Sequence, residues 1–356
     1  MPPFVKFLIR RVLALLLTLI VISAILYGFI MLTPPEARAT LYLPASNRIL
    51  SEEQLQRQIN QIIKAKHLRD PYPIQYAFWA SELLQGRWGY SPALHEDVLA
   101  VMLRRSPVTA ELTIYSLMVF IPLGLISGVI AGSNKDRGRD FRFRLSAFVA
   151  TSMPPFILAI MLLAVFYVAL YWFPPERVSV QNQLFVKSAE FNTYTGLLTI
   201  DGLLNGRIDI SLDALRHLVL PVITLSLVHW ATLGRVTRAG MIEELQKEYI
   251  IAGKARGISS RDLVWKHAFR NTLAPSLTSS ALSAATLFTG VFIVEVIFDF
   301  KGISEVAVRS INQVPDAPAV LGFAIYSVLI VLTIMFILDV IQAVVDPRIR
   351  EGITGK

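Results

Sequence analysis

Glu248-Tyr249-Ile250-Ile251-Ala252-Gly253-Lys254-Ala255-Arg256-Gly257-Ile258-Ser259-Ser260-Arg261-Asp262 leads on to Trp265-Lys266-His267-Ala268-Phe269-Arg270-Asn271 and Pro275. The segment is basic and helix-compatible, and it lies between two long apolar runs. Gly257 is placed to end a first helix in a left-handed conformation. Ser259 or Ser260 is placed to cap a second helix running toward Asn271. A helix–turn–helix is more than a connection between membrane spans requires. Two readings stand. In one, the small residues Ala252, Ala255 and Gly257 admit the close approach of a partner within a polar rim. In the other, the segment is a basic interfacial helix on anionic lipid.

Working outward, apolar runs flank the segment at about residues 218–236 and 276–298. Others lie at about 9–32, 109–132, 145–172 and 319–345. Each is long enough to cross a hydrocarbon core of about 30 Å. Of the 356 residues, 54% are hydrophobic and 17% charged, against roughly 25% charged in soluble domains. The pattern predicts an all-α polytopic membrane protein with six transmembrane helices.

The orientation follows from cations in short loops. Lys6, Arg10 and Arg11 precede the first span. That span is longer than the apolar region of a secretory signal, and no Ala-x-Ala site follows it, so it reads as a retained helix with its amino end in the cytoplasm. Residues 134–144 carry five cations against two anions. Residues 235–270 carry eight cations against four anions. Both fit the cytoplasmic side, which places both termini there. The net charge of +8 is read as this loop bias, not as nucleic-acid binding.

Between the first two spans, residues 33–106 are polar enough for an external helical cap. Pro34 and Pro35 end the first helix. Ser51 followed by Glu52, Glu53 and Gln54 is an N-cap signature for a helix of about 15 residues. Pro71-Tyr72-Pro73 breaks that helix, and an amphipathic stretch follows over 74–84. The expected division is 1–108 for the first span and cap, 109–346 for the transmembrane domain with its loop at 237–274, and 347–356 for a cytoplasmic tail.

Chemistry-bearing motifs are sparse. With no cysteine there is no disulfide, iron–sulfur or thiolate zinc site. The five histidines form no His-x3-His pair, and no phosphate-binding Gly-x4-Gly-Lys-Ser/Thr occurs. The chain is therefore read as non-enzymatic, with no catalytic, cofactor or metal residues. Ionisable residues within spans are few: Glu111, Asp339 and Glu295 lie toward span ends, and His229 is more central. His229 is either a proton relay or a packing residue. In the fifth span, Ser276, Ser279, Ser283, Thr286 and Gly290 recur at spacings of 3 and 4, which puts small and hydroxylated residues on one stripe. That stripe is either a close helix–helix contact or a lining of a translocation path that continues to Glu295.

The coupling segment from Glu248 to Pro275 resembles the EAA-type loop of binding-protein-dependent permeases, in the dipeptide/oligopeptide/nickel group of ABC importers. Other stretches resemble the same group in the same order. They are Phe7-Leu8-Ile9-Arg10-Arg11, Gly86-Arg87-Trp88-Gly89-Tyr90-Ser91, Arg105-Ser106-Pro107 through Leu112, Glu295-Val296-Ile297-Phe298 with Gly302-Ile303, and Asp346-Pro347-Arg348-Ile349. Ile251 and Gly253 depart from the strict pattern, as does Ala317 before Pro318. The likeness implies a type I ABC importer permease fold with an external insertion after the first helix, in a bacterial or archaeal cytoplasmic membrane. It implies docking to ATPase subunits through Glu248, Tyr249, Ala252, Ala255, Arg256 and Gly257. The implied partners are a second permease, cytoplasmic ABC ATPases that carry the ATP and magnesium, an extracytoplasmic solute-binding protein and the lipid bilayer. The implied solute is a peptide, with nickel chelates and oligosaccharides as alternatives.

Overall fold

Proline placement and capping explain where the helices start and stop. In the computed structural model, which describes residues 3–40, 42, 51–312 and 316–345, helix α1 spans Pro3–Ile30 and α2 Pro35–Thr40. Helix α3, Glu52–Ala65, starts at the expected cap: the Gln54 amide donates to Ser51 Oγ, and the Gln54 side chain accepts from the Ser51 amide. Helix α4, Tyr72–Leu84, begins just after Pro71, and a two-residue antiparallel ladder pairs β1, Tyr90–Ser91, with β2, Glu96–Asp97.

Helices α5 (Val98–Ser133), α6 (Gly138–Ser152), α7 (Pro155–Leu162), α8 (Val180–Val186), α9 (Leu198–Leu204), α10 (Ile208–Glu244), α11 (Glu248–Ala255), α12 (Ser260–Asp262), α13 (Phe269–Ile297), α14 (Ser304–Asn312) and α15 (Ala317–Val345) follow. Five helices among the described residues are long and apolar enough to cross a membrane. A sixth crossing exists if α6 and α7 with its continuation form one span. The chain is thus all-α and polytopic apart from the short ladder.

Three expected spans differ in shape. The third, expected over 145–172, is bent by 97° between Gly138–Ser152 and Pro155–Ala169. Met153 is extended and Pro154 follows it, because a residue before proline is pushed out of the helical region and a proline nitrogen has no hydrogen to donate. Residues Leu163–Ala169 then wind as a π-helical stretch. The second and fourth spans, expected over 109–132 and 218–236, are parts of the longer α5 and α10. Apolarity marks only the membrane-embedded portion of a helix that continues past it.

The chain divides into two compact units. One comprises Met1–Arg11, Pro107–Lys301 and Val331–Lys356; the other comprises Val12–Ser106 and Gly302–Ile330. Residues 302–330 therefore group with most of the first span and the segment after it, which linear order at 108/109 does not convey. The stretch 346–350 and the tail 347–356 lie outside the described residues.

In the second unit, Ala39, Ile59, Ile63 and Leu68 form a small core. Arg38 ties α2 to α4 by donating to Gln75 Oε1 and Leu68 O, both at 2.8 Å. Tyr72 and Tyr76 donate to backbone carbonyls of α1, and Tyr27 stacks on Trp79 at 4.9 Å. The Asp316 carboxylate accepts from Ser91 Oγ and the Ala93 amide, and it caps α15 by accepting from the Ala319 amide.

In the first unit, α10 is the central helix. Its buried stripe packs on α5 and α13 through Leu112, Phe120, Leu225, Leu233, Leu287 and Val291. Contact with α5 is close at Gly124, Gly128 and Gly132. A Cβ on Gly128 would lie 2.6 Å from Gly234 O and from Thr237 Cβ, and one on Gly132 2.6 Å from Met241 Cβ. This spacing of four lets two backbones approach where lipid offers no hydrophobic drive of its own.

Candidate functional site

The segment after α10 folds as a small, internally bonded body. Val129, Met241, Ile250, Leu263 and Ala268 share a buried core with Leu245, Ile258, Val264 and Phe269 packed against it. Helix α11 turns Ile250 and Gly253 inward; a Cβ on Gly253 would sit 2.8 Å from Leu263 Cδ2. Gly257 has φ of +80° and ends α11 as expected. Ser259 caps α12 by accepting from the Asp262 amide at 3.1 Å.

All six residues assigned to coupling, Glu248, Tyr249, Ala252, Ala255, Arg256 and Gly257, lie on the exposed side of this body. Helix α11 therefore keeps one face for its own core and leaves another, carrying Ala252 and Ala255, uncovered. Glu248 stands in the first turn of α11, where the positive end of the helix dipole favours a carboxylate.

Tyr249 has a second role that the sequence reading missed. Its hydroxyl donates to Glu244 Oε2 at 2.6 Å, and Asn271 Nδ2 donates to Tyr249 Oη at 3.1 Å and to Glu244 Oε2 at 3.3 Å. The Lys247 ammonium pairs with the same carboxylate. Burial, and then its bond to Glu244, push the Tyr249 hydroxyl up to about 12. This cluster joins the end of α10 to α11 and to the first turn of α13. Glu244 and Asn271 are 27 positions apart, so no short-range pattern announces them.

The expected loop at 237–274 is mostly helical. Non-helical backbone is confined to 245–247 and 256–259. From Ser260 the chain winds through α12 and a π-helical turn at Leu263–Ala268 directly into α13, with Pro275 inside that helix. The second helix of the segment and the fifth span are therefore one continuous rod. Asp140, fully buried, ties α6 to α10 by accepting from Arg238 Nη2 at 2.8 Å and from the Asp136 amide at 3.0 Å.

The fifth-span residues do not share one environment. Ser276 is buried and bonds Thr237 at 3.0 Å, and Ser283 is buried. Ser279 and Gly290 are half-buried, Gly290 against Leu225, while Thr286 is exposed. The Thr286 hydroxyl donates to carbonyls of its own helix. A stripe read at 3–4 spacing is split because the buried side of α13 runs through Ser276, Ser280, Ala284 and Leu287. Glu295, expected near the outer interface, is 1% exposed and accepts from Thr109 Oγ1 at 2.5 Å.

The remaining ionisable groups are engaged too. Glu111 accepts from Arg177 Nη2 at 2.6 Å, Thr199 N at 2.9 Å and Thr199 Oγ1 at 2.8 Å. Asp339 pairs with Arg11. His229 lies against the Phe120 ring, with centroids 5.5 Å apart.

Residues 121–351 match the family described as the binding-protein-dependent transport system inner membrane component, and residues 4–113 match the amino-terminal region of such membrane components. The chain belongs to this family of membrane-embedded permease subunits. It is similar to a dipeptide transport system permease protein of Alkalihalophilus pseudofirmus, 28% identical over 96% of this chain and 98% of that protein. A di/tripeptide transport system permease protein of Pseudomonas aeruginosa is 32% identical over 80% and 82%. An oligopeptide transport system permease protein of Bacillus subtilis is 30% identical over 82% and 84%. The protein is thus a multi-pass inner membrane component of a binding-protein-dependent transporter.

Proposed function

We propose that the chain is the permease subunit of an ATP-driven importer of peptides or oligopeptides, and that α11 is the element through which separate ATPase subunits act on it. The relatives' peptide specificities support the solute. The observation that carries the coupling role is the exposed face of α11, small at Ala252 and Ala255, on a body braced by Glu244, Tyr249 and Asn271 and continuous with α13. A partner seated there pushes on a rigid piece that moves the fifth span with it.

In this reading the chain performs no bond chemistry. ATP and magnesium reside on cytoplasmic ABC ATPases, and a second permease completes the pathway as a heterodimer. An extracytoplasmic solute-binding protein delivers the solute, and both termini are cytoplasmic. The translocation path is assigned to Ser279, Ser283, Thr286, Gly290 and Glu295. ATP binding closes the ATPase dimer, α11 carries the displacement, and the spans turn from inward-open to outward-open.

The test is Ala255→Trp in the assembled transporter. Because Ala255 is exposed, the variant folds and inserts normally, but the ATPase no longer co-purifies and uptake stops. Normal ATPase recovery with normal uptake removes α11 as the docking element.

A further inference from the structure

We propose that the unit formed by Val12–Ser106 and Gly302–Ile330 holds a site for an anionic amphiphile, which seats a phosphate-bearing headgroup near Arg38 and an acyl chain beside Leu99, Leu103 and Leu321. A cavity of about 590 Å³ opens within this unit. Its walls include the last turns of α1 at Tyr27 and Ile30, the first turns of α5 at Leu99 and Leu103, and the start of α15 at Leu321. The α1 and α15 turns lie at ends of helices long and apolar enough to cross a membrane, and the α5 turns precede its apolar stretch at 109–132, so the cavity borders the level where hydrocarbon gives way to headgroups. Trp79 and Trp88 in its wall are the residue type favoured at that depth.

The polar end of the cavity is short of negative charge. Arg38 is only 4% exposed. Its two terminal nitrogens bond neutral oxygens, of Gln75 and Leu68, and its Nε has no partner among the described residues. No described carboxylate pairs with it. A guanidinium stays charged at any accessible pH, and a buried charge without a counter-charge is costly. Nearby, Lys66 and Arg87 share the single carboxylate of Glu82, at 3.0 Å to Lys66 Nζ and 3.0 Å to Arg87 Nε. Asp97 is the other lining carboxylate, so three cations face two anions. Lys66 also lies 5.6 Å from the centre of the Tyr42 ring and 5.5 Å from that of Phe78. An anion from outside the chain completes this arrangement, and the apolar wall asks that the anion carry a hydrocarbon tail.

The experiment uses the full chain, purified in detergent with the subunits that accompany it. Native mass spectrometry after exposure to equal phosphatidylglycerol and phosphatidylcholine reads headgroup preference. Thermal unfolding with dioctanoyl phosphatidylglycerol, or with glycerol phosphate, separates the amphiphile from a soluble anion. Preferential retention of phosphatidylglycerol is expected, weakened about tenfold or more by Arg38→Gln and also by Leu103→Trp. Leu103→Trp fills the apolar end and leaves the Arg38 bonds intact, so it decides the matter if Arg38→Gln fails to fold. Glycerol phosphate should give no stabilisation. Equal retention of the two lipids, indifference to Leu103→Trp, or full stabilisation by glycerol phosphate each overturns the proposal.

Discussion

The Tyr249 hydroxyl donates to the Glu244 carboxylate at 2.6 Å, which fixes α11 to the end of α10 while Asn271 brings the first turn of α13 to the same two groups. Tyr249→Phe keeps the ring and deletes this bond. A hydrogen bond to a charged group is worth roughly 1.5–3 kcal/mol, enough to loosen the brace without unfolding the spans. In the assembled transporter, ATPase subunits should still co-purify while uptake per ATP hydrolysed falls several-fold. An unchanged transport-to-hydrolysis ratio would mean that the brace transmits nothing.

The same contact sets a pH limit. Burial and the bond to Glu244 raise the Tyr249 hydroxyl from 10.0 to about 12, and Lys247 is likewise raised by its bond to Glu244. Groups raised on folding stabilise fully below their unfolded values and lose that contribution as pH climbs through the folded ones. The segment should therefore hold its order to about pH 10 and loosen between about pH 10 and 12. The ultraviolet difference titration between wild type and Tyr249→Phe should place this tyrosine near 12; a midpoint near 10 would contradict the bonded geometry.

Close packing of α5 on α10 predicts an asymmetric response to added methyl groups. Gly128→Ala puts a Cβ against Gly234 O and Thr237 Cβ, neither of which is the loose end of a flexible chain. It should cost roughly 1–3 kcal/mol. Gly138→Ala meets nothing within 4 Å and should be nearly neutral. Thermal unfolding in detergent distinguishes the two, and equal melting temperatures would refute the contact.

Glu111 is 2% exposed and carries the Arg177 guanidinium together with two donors from Thr199. Glu111→Gln leaves that guanidinium without its counter-charge, at a cost of roughly 3–5 kcal/mol. Adding Arg177→Gln should restore part of it, so the double-mutant cycle is strongly non-additive. Additive losses would show that the two side chains act independently.

Much of this was legible in the linear chain. The apolar runs, the Ser51 cap, the turn at Gly257 and the Ser259 cap each depend on neighbours within a few positions, where sequence distance and spatial distance coincide. The Gly124, Gly128 and Gly132 spacing is equally visible in the chain as a small-x3-small signal. The fifth-span stripe illustrates the opposite case. Its periodicity is real, yet which side of the helix is covered depends on where α10 lies, and Thr286 and Ser283 end in different environments.

By itself the sequence determined that the chain is a helical membrane protein, the regions its spans occupy and the helix–turn–helix between its fourth and fifth spans, because hydrocarbon thickness, proline geometry and helix capping are local constraints. Only the tertiary structure decided that Tyr249 is a brace, that Glu111, Asp140 and Glu295 are held by partners far along the chain, that the third span bends by 97°, and that Arg38 stands buried beside a cavity with no counter-charge among the described residues. Those features depend on which side chains meet across tens or hundreds of residues, and such meetings are settled by packing.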